Sequence, residues 1–201
     1  VGWVGKHTLL IHKTSGAFFV LGELFTSLEL PFDQATTKHC GSCSACIDIC
    51  PTQAIVEPYL LDARKCIAYL TIEFQGIIPL ELRRGIGNRV FGCDDCQLIC
   101  PWNSFAKTTP IDDFNPRHGL DDIQLIDLWQ WDENTFMANT EGSPLRRTGY
   151  QSFMRNVAIG LGNAPFSDEI LQQLQASRPE LNDIVQVHID WAIQEQLIKK
   201  H

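Results

Sequence analysis

The stretch Cys40-Gly41-Ser42-Cys43-Ser44-Ala45-Cys46-Ile47-Asp48-Ile49-Cys50-Pro51 decides how this chain is read. Three thiols stand at every third residue, a fourth follows four residues later, and a proline closes the run, which is the ligand spacing of bacterial iron–sulfur ferredoxins. A shorter echo follows in Cys93-Asp94-Asp95-Cys96-Gln97-Leu98-Ile99-Cys100-Pro101. With Cys66 between the two runs, all eight cysteines of the 201-residue chain lie between positions 40 and 100, enough for two four-thiolate clusters with none left over.

A three-residue repeat lets one loop wrap three corners of a cubane while backbone N–H groups point at the sulfurs, so the fourth ligand must come from elsewhere. In two-cluster ferredoxins the cysteine before the proline ligates the other cluster. That crossing assigns Cys40, Cys43, Cys46 and Cys100 to one [4Fe–4S] cluster and Cys50, Cys66, Cys93 and Cys96 to a second. Cys66 departs from the plain ferredoxin pattern, in which the extra thiol would stand three residues before Cys93, where this chain has Val90. Zinc also takes four thiolates, but its sites pair Cys-x-x-Cys knuckles across a longer spacer and give no reason for two Cys-Pro endings. The residues after each proline, Thr52 to Ile55 and Trp102 to Phe105, are expected to cover the clusters and keep water away.

A formal charge of −8 and a pI near 5.1 argue against bulk electrostatic attraction to nucleic acid, while leaving room for a local basic stripe. With 44% apolar residues the chain can bury a substantial core. Clustered thiols without a secretory leader or a membrane-length apolar run place the chain in a reducing compartment, the cytoplasm by default, with no membrane partner. Gly2, Gly5 and Lys6 do not make a phosphate loop, because that loop needs four residues between its glycines and Ser or Thr after the lysine, where His7 stands.

Thr8 to Ile11 and Ala17 to Phe25 are apolar and flank a turn at Lys13 to Gly16, which predicts a hairpin or two neighbouring strands. Thr108 to Glu141 is acidic and carries Pro110 and Pro116, the composition of a linker. Beyond it, Tyr150, Phe153, Met154, Val157, Ala158 and Leu161 recur at helical spacing, with Ser143-Pro144 as a start and Gly162-Asn163 as a stop. A second helix is expected from a Ser167 cap with Ile170, Leu171 and Leu174 inward, and a third from Asp183. His188 and Trp191 in the third are expected to be packing residues, not ligands.

Several stretches carry a closer resemblance: G-W-V-G-K-H-T-L-L at 2–10, F-F-V-L-G-E-L at 18–24, the first cysteine run through Ile55, C-I-A-Y-L-T-I-E-F-Q-G-I-I-P at 66–79, and G-N-R-V-F-G-C-D-D-C-Q-L-I-C-P-W-N at 87–103. With E-G-S-P-L-R-R-T-G-Y at 141–150 and R-N-V-A-I-G-L-G-N-A at 155–164, the chain resembles the epoxyqueuosine reductase family over essentially its whole length. The resemblance implies an α+β chain. A β-containing remnant of a cobalamin-binding domain (1–34) would precede a ferredoxin-like domain with two [4Fe–4S] clusters (35–107), followed by a linker and an all-α HEAT-like domain (108–201). It also implies an oxidoreductase that uses cobalamin and the two clusters to remove the epoxide oxygen of epoxyqueuosine in tRNA, the last step of queuosine biosynthesis. An external electron donor would feed it, and it would act as a monomer.

Because Val1 opens in what reads as the middle of a domain, the chain is expected to be a fragment that lacks most of the cobalamin domain and is inactive alone; no catalytic residue is assigned. The resemblance places Lys6, His7, Leu10, Leu21, Tyr69 and Glu73 against cobalamin, with core packing the plainer reading of the two leucines. It places Arg83, Arg84, Arg89, Arg146, Arg147 and Arg155 against tRNA, since a guanidinium fork suits phosphate and base edges. Two other classes remain. A ferredoxin-type electron-transfer module with a helical docking domain would bind neither cobalt nor tRNA, and a reductive dehalogenase would share the cofactors but fits the helical final third poorly.

Overall fold

The structure, a computed structural model, describes residues 2–176 and 178–200; Val1, with which the expected first domain opens, Ser177 and His201 lie outside the described residues. In chain order the elements are β1 (Trp3–Val4), β2 (Leu10–Ile11), α1 (Ala45–Asp48), β3 (Ile55–Glu57), β4 (Leu60–Leu61), α2 (Ile67–Ile72), α3 (Leu80–Ile86) and α4 (Asp95–Leu98). There follow α5 (Leu125–Trp129), α6 (Glu133–Asn139), α7 (Tyr150–Asn163), α8 (Asp168–Gln175) and α9 (Asp183–Lys199), with short 3₁₀ turns between several of them. The fold is mixed, rich in helix and poor in strand. The contacts divide it into two compact units: residues up to Asp62 with Asp94–Pro110, and Ala63–Cys93 with the chain from Ile111 onward. The insert behind Cys66 therefore groups with the helical part and not with the cysteine runs on either side of it.

In the first unit β1 and β2 pair antiparallel, Trp3 opposite Ile11 and Val4 opposite Leu10. A further bridge, His12 to Gly16, closes the turn. Gly16 has φ +71° and lies against Asn103: a Cβ there would stand 2.2 Å from Asn103 Oδ1. Trp3, Ile11 and Ala17 make a small core against which Cys40, Cys100 and Trp102 pack. The strand expected over Ala17 to Phe25 does not form. Among the described residues no neighbouring strand offers a ladder to it, and Val20, Leu24 and Phe25 stand 84%, 98% and 97% exposed.

The second unit is built around α7, which is buried on nearly every side from Ser152 to Gly162. Phe153 stacks on Trp131 and packs against Phe136, and Tyr150 donates its hydroxyl to the Trp131 carbonyl at 3.0 Å. On the α9 side, Gly162 lets the backbones close up: a Cβ at 162 would come within 2.7 Å of the Trp191 ring and 2.9 Å of Ala192 Cα. Ile67, Leu70, Ile78 and Ile86 of the insert join this same core. Ser167 caps α8 through the Ile170 N–H, and Asn182 caps α9 through Val185.

Two expectations are corrected and a third holds. The segment read as linker contains α5 and α6, the latter capped by Asp132 accepting from Thr135 N–H at 2.7 Å, and it supplies Trp129, Trp131 and Phe136 to the core. Ser143-Pro144 opens a 3₁₀ turn, Pro144–Thr148, and not the long helix; Gly149 at φ +73° separates them, so Arg146 and Arg147 sit on that turn. His188 and Trp191 do pack: His188 is fully buried, accepts the Ile78 N–H on Nε2 at 3.1 Å and donates Nδ1–H to the Ile184 carbonyl at 2.6 Å.

Candidate metal centre

The two cysteine runs fold alike. In the first, Ile47 and Asp48 N–H groups donate to the Ser44 carbonyl (2.8 and 3.1 Å), Ile49 to Ala45 (3.1 Å) and Cys50 to Ile47 (3.3 Å). In the second, Gln97 and Leu98 donate to Asp94 (2.8 Å each), Ile99 to Asp95 (3.1 Å) and Cys100 to Gln97 (3.1 Å), fifty positions on in every case. The residues preceding α1 and α4 share their backbone too, φ −118° at Ser44 and −114° at Asp94, and the two helical turns pack on each other. Each Cys-Pro step then turns so that N–H groups face the sulfur: Ala54 N–H donates to Cys50 Sγ at 3.2 Å, and those of Trp102 and Asn103 are aimed at Cys100.

Within the first unit, Cys40, Cys43, Cys46 and Cys100 line one cavity of about 410 Å³, together with Lys6, His7, Ile11, His39 and the rings of Trp102 and Phe105. Burial, with the neighbouring cysteines behind it, pushes the Cys46 thiol above its ordinary pKa, and burial does the same at Cys100. Four thiolates brought together in a half-buried site repel one another and call for a polycation at their centre. The donor set and the enclosed volume fit an iron–sulfur cubane, whose irons supply that charge and whose sulfides accept the surrounding N–H groups. Cys50 and Cys96 also belong to the first unit, and Cys66 and Cys93 to the second.

Residues the sequence did not mark as part of this centre hold its loop. Lys6 Nζ donates to the Gly41 and Cys43 carbonyls at 2.7 and 2.8 Å, bracing the first cysteine loop. Asn103 accepts the Ala17 N–H and donates to the Gln97 carbonyl at 2.6 Å, tying the second run to the N-terminal turn. His7 is 3% exposed, and burial holds its imidazole below the ordinary pKa. So Lys6 and His7, expected against cobalamin, are engaged at the first cysteine loop and its cavity. Leu10 is half-buried; Leu21, Tyr69 and Glu73 are exposed, Glu73 in an ion pair with Arg147 at 2.7 Å.

The arginines separate cleanly. Arg155 is fully buried and donates to the carbonyls of Phe74, Gly76 and Leu70 at 2.7, 2.9 and 2.7 Å and to Asn156 Oδ1, so its expected role on tRNA is corrected to that of an internal brace. Arg83 is buried too, donating to the Ile78 carbonyl at 2.9 Å, and is corrected likewise. Arg84 is exposed and forms a two-bond pair with Glu195, 3.0 Å each. Arg147 is exposed, Arg89 half-buried with Nη1 on the Ile86 carbonyl, and Arg146 half-buried with its fork on the Met137 carbonyl.

Two matching Cys-Pro turns and a four-thiol cavity define a double-cluster iron–sulfur protein, and residues 39–103 match a family described as a 4Fe-4S double cluster binding domain. The relatives are more specific. The chain is 56% identical to epoxyqueuosine reductase of Pseudomonas aeruginosa over 96% of its own length and 54% of that protein's. It is 50% identical to epoxyqueuosine reductase of Escherichia coli K12, over 100% of its length and 53% of the other's. Epoxyqueuosine reductase from Bacillus subtilis superposes with a TM-score of 0.86 at 28% identity, covering 97% of this chain and 52% of that one. A crystal structure of epoxyqueuosine reductase with a tRNA-Tyr epoxyqueuosine-modified tRNA stem loop gives a TM-score of 0.88 at 28% identity, with the same coverage. By this measure the chain is a homologue of the epoxyqueuosine reductases, and it spans about half the length of the curated relatives it matches.

Proposed function

We propose that this chain is the cluster-bearing and helical part of an epoxyqueuosine reductase, an oxidoreductase that converts epoxyqueuosine to queuosine in tRNA. Removing the epoxide oxygen takes two electrons and protons. Each cubane passes electrons singly, so two clusters in one chain suit a path that delivers them in turn from an external donor. The observation that carries the reading is the cavity lined by Cys40, Cys43, Cys46 and Cys100, in a chain about half identical to proteins of that name. We assign the second cluster to Cys50, Cys66, Cys93 and Cys96 from the crossed spacing of the two runs.

Cobalamin, expected from the resemblance, would supply redox-active cobalt when bound. Of the side chains expected against it, exposed Leu21 and Tyr69 offer apolar and aromatic surface suited to a macrocycle, and Leu10, Glu73, Lys6 and His7 complete the set, the last two from the lining of the cluster cavity. For tRNA, Arg84, Arg89, Arg146 and Arg147 remain as candidates once the buried pair is set aside, with the helices from α5 onward as the HEAT-like support. Among the described residues no helix is long and apolar enough to cross a membrane; monomeric action in the cytoplasm completes the reading.

The test uses the intact protein from which this chain comes, reconstituted anaerobically with iron, sulfide and cobalamin and offered epoxyqueuosine-containing tRNA with a strong reductant. Queuosine formation that requires cobalamin supports the proposal. Clusters that assemble and reduce, with no cobalamin uptake and no tRNA affinity, would point to a ferredoxin-type electron-transfer module with a helical docking domain.

A further inference from the structure

Four buried side-chain nitrogen or oxygen atoms among the described residues lack a hydrogen-bond partner, and two of them, Trp3 Nε1 and His7 Nε2, belong to the small first unit. Both lie beside the four-cysteine cavity. Trp3 belongs to the small core on which Cys40 and Cys100 pack and its ring meets that of Trp102 in the cavity wall, and His7 is itself part of that wall. A native interior pairs nearly all of its buried polar groups, so such an orphan asks for an unseen partner.

The His7 ring is held in one chemical form by its backbone. Its Nδ1 lies 3.1 Å from the Leu9 N–H and accepts from it. A ring nitrogen that accepts carries no proton, so the neutral imidazole bears its hydrogen on Nε2, the atom without a partner. Gly5 makes room for this placement: a Cβ there would come within 2.9 Å of His7 Cε1 and 3.2 Å of Nε2. A tight turn from Gly5 to Leu9, closed by the Gly5 N–H on the Leu9 carbonyl at 2.8 Å, fixes the ring.

We propose that His7 Nε2–H donates a hydrogen bond to a sulfur of the [4Fe–4S] cluster held by Cys40, Cys43, Cys46 and Cys100, and raises that cluster's reduction potential. The inference rests on the cluster assignment above. Reduction adds negative charge to the cluster, and a fixed N–H donor stabilises the reduced form more than the oxidised one. Lys6 and His7, adjacent in sequence, then divide the work, the first holding the ligand loop by its carbonyls and the second setting the potential of what the loop holds.

The experiment reconstitutes the chain anaerobically, counts iron and acid-labile sulfide, and titrates both clusters by EPR in wild type, His7→Leu and His7→Gln; the glutamine amide places a donor near the former Nε2. The expected result is a shift of one midpoint to more negative potential in His7→Leu, the other midpoint unmoved, and return toward wild type in His7→Gln. Unmoved midpoints in His7→Leu, or an equal shift in both variants, overturn the proposal. Should His7→Leu not assemble clusters, pulsed EPR of the reduced wild-type protein labelled with ¹⁵N-histidine decides. A weak ¹⁵N coupling that disappears in His7→Gln supports the bond, and its absence from wild type refutes it. Wild-type protein that binds metal without sulfide would instead overturn the cluster assignment, and with it the bond.

Discussion

Replacing Arg155 by methionine should destabilise the helical unit by about 3 kcal/mol, although the residue was expected from sequence to face tRNA. Three main-chain carbonyls, those of Leu70, Phe74 and Gly76, take their hydrogen bonds from this one guanidinium. Methionine keeps much of the stem's packing and leaves all three without a donor, at about 2 kcal/mol each, or about 6 in total. Burial lowers the Arg155 pKa to about 10, well below the ordinary arginine range. The cation still persists at neutral pH, and removing it recovers about 3 kcal/mol of desolvation. The difference, about 3 kcal/mol, is a large share of a typical domain's 5–15. Urea unfolding followed by far-UV circular dichroism reads the loss directly, and Arg155→Lys, which keeps a charge and three donors, should lose less. A stability unchanged in Arg155→Met, with weakened tRNA binding, would refute the reasoning and return the residue to the RNA.

Two further outcomes follow from the same core. Burial, then the nearby charges of Arg83 and Arg155, lower the His188 pKa to about 4 from 6.5. The unfolded chain thus binds the proton first as pH falls, and the stability that His188 contributes, complete above pH 6.5, is lost on the way down to pH 4, by about 3 kcal/mol. Denaturant titrations at several pH values should show that slope in wild type and a shallower one in His188→Gln; equal slopes would contradict it. Gly162→Ala should cost about 1–3 kcal/mol, because the new methyl meets the backbone of Ala192 and the Trp191 ring. Gly160→Ala, whose nearest neighbour is the flexible end of Leu125, should cost less, and the two thermal midpoints would order the other way if the α7–α9 approach were slack.

What the sequence disclosed and what it hid divide along physical lines. Ligand spacing is local, so the cysteine runs could be read directly, down to the crossing that puts Cys100 beside the first run. Helical period and capping are local as well, which is why α8 and α9 were legible near their observed starts and α7 at its Asn163 end, while the Ser-Pro signal placed the start of α7 too early, on the 3₁₀ turn Pro144–Thr148. Arg155 was not legible because α7 is surrounded: a helix buried on every side has no polar face, and an arginine on it looks like any surface arginine until its carbonyl partners, some eighty residues away, are in place. The grouping of the insert with the helical unit is equally non-local, resting on Ile67, Leu70, Ile78 and Ile86 meeting the α7 core. In the acidic segment composition outvoted pattern: its aspartates signalled a linker, while Trp129, Trp131 and Phe136 were already the core. His7 was singled out through the resemblance, but only the fold shows its ring at the cluster cavity.

The claim on which the rest depends is that Cys100, from the second run, completes the site of the first. The measurement is iron and acid-labile sulfide in the anaerobically reconstituted chain, wild type against Cys100→Ala, with EPR of the reduced protein. Wild type should hold equal iron and sulfide, enough for two cubanes, and Cys100→Ala should lose one cluster's share while the signal of the other persists. Zinc in place of iron and sulfide, or a Cys100→Ala protein that instead loses the cluster removed by Cys93→Ala and keeps the one removed by Cys43→Ala, would contradict the structure's central arrangement.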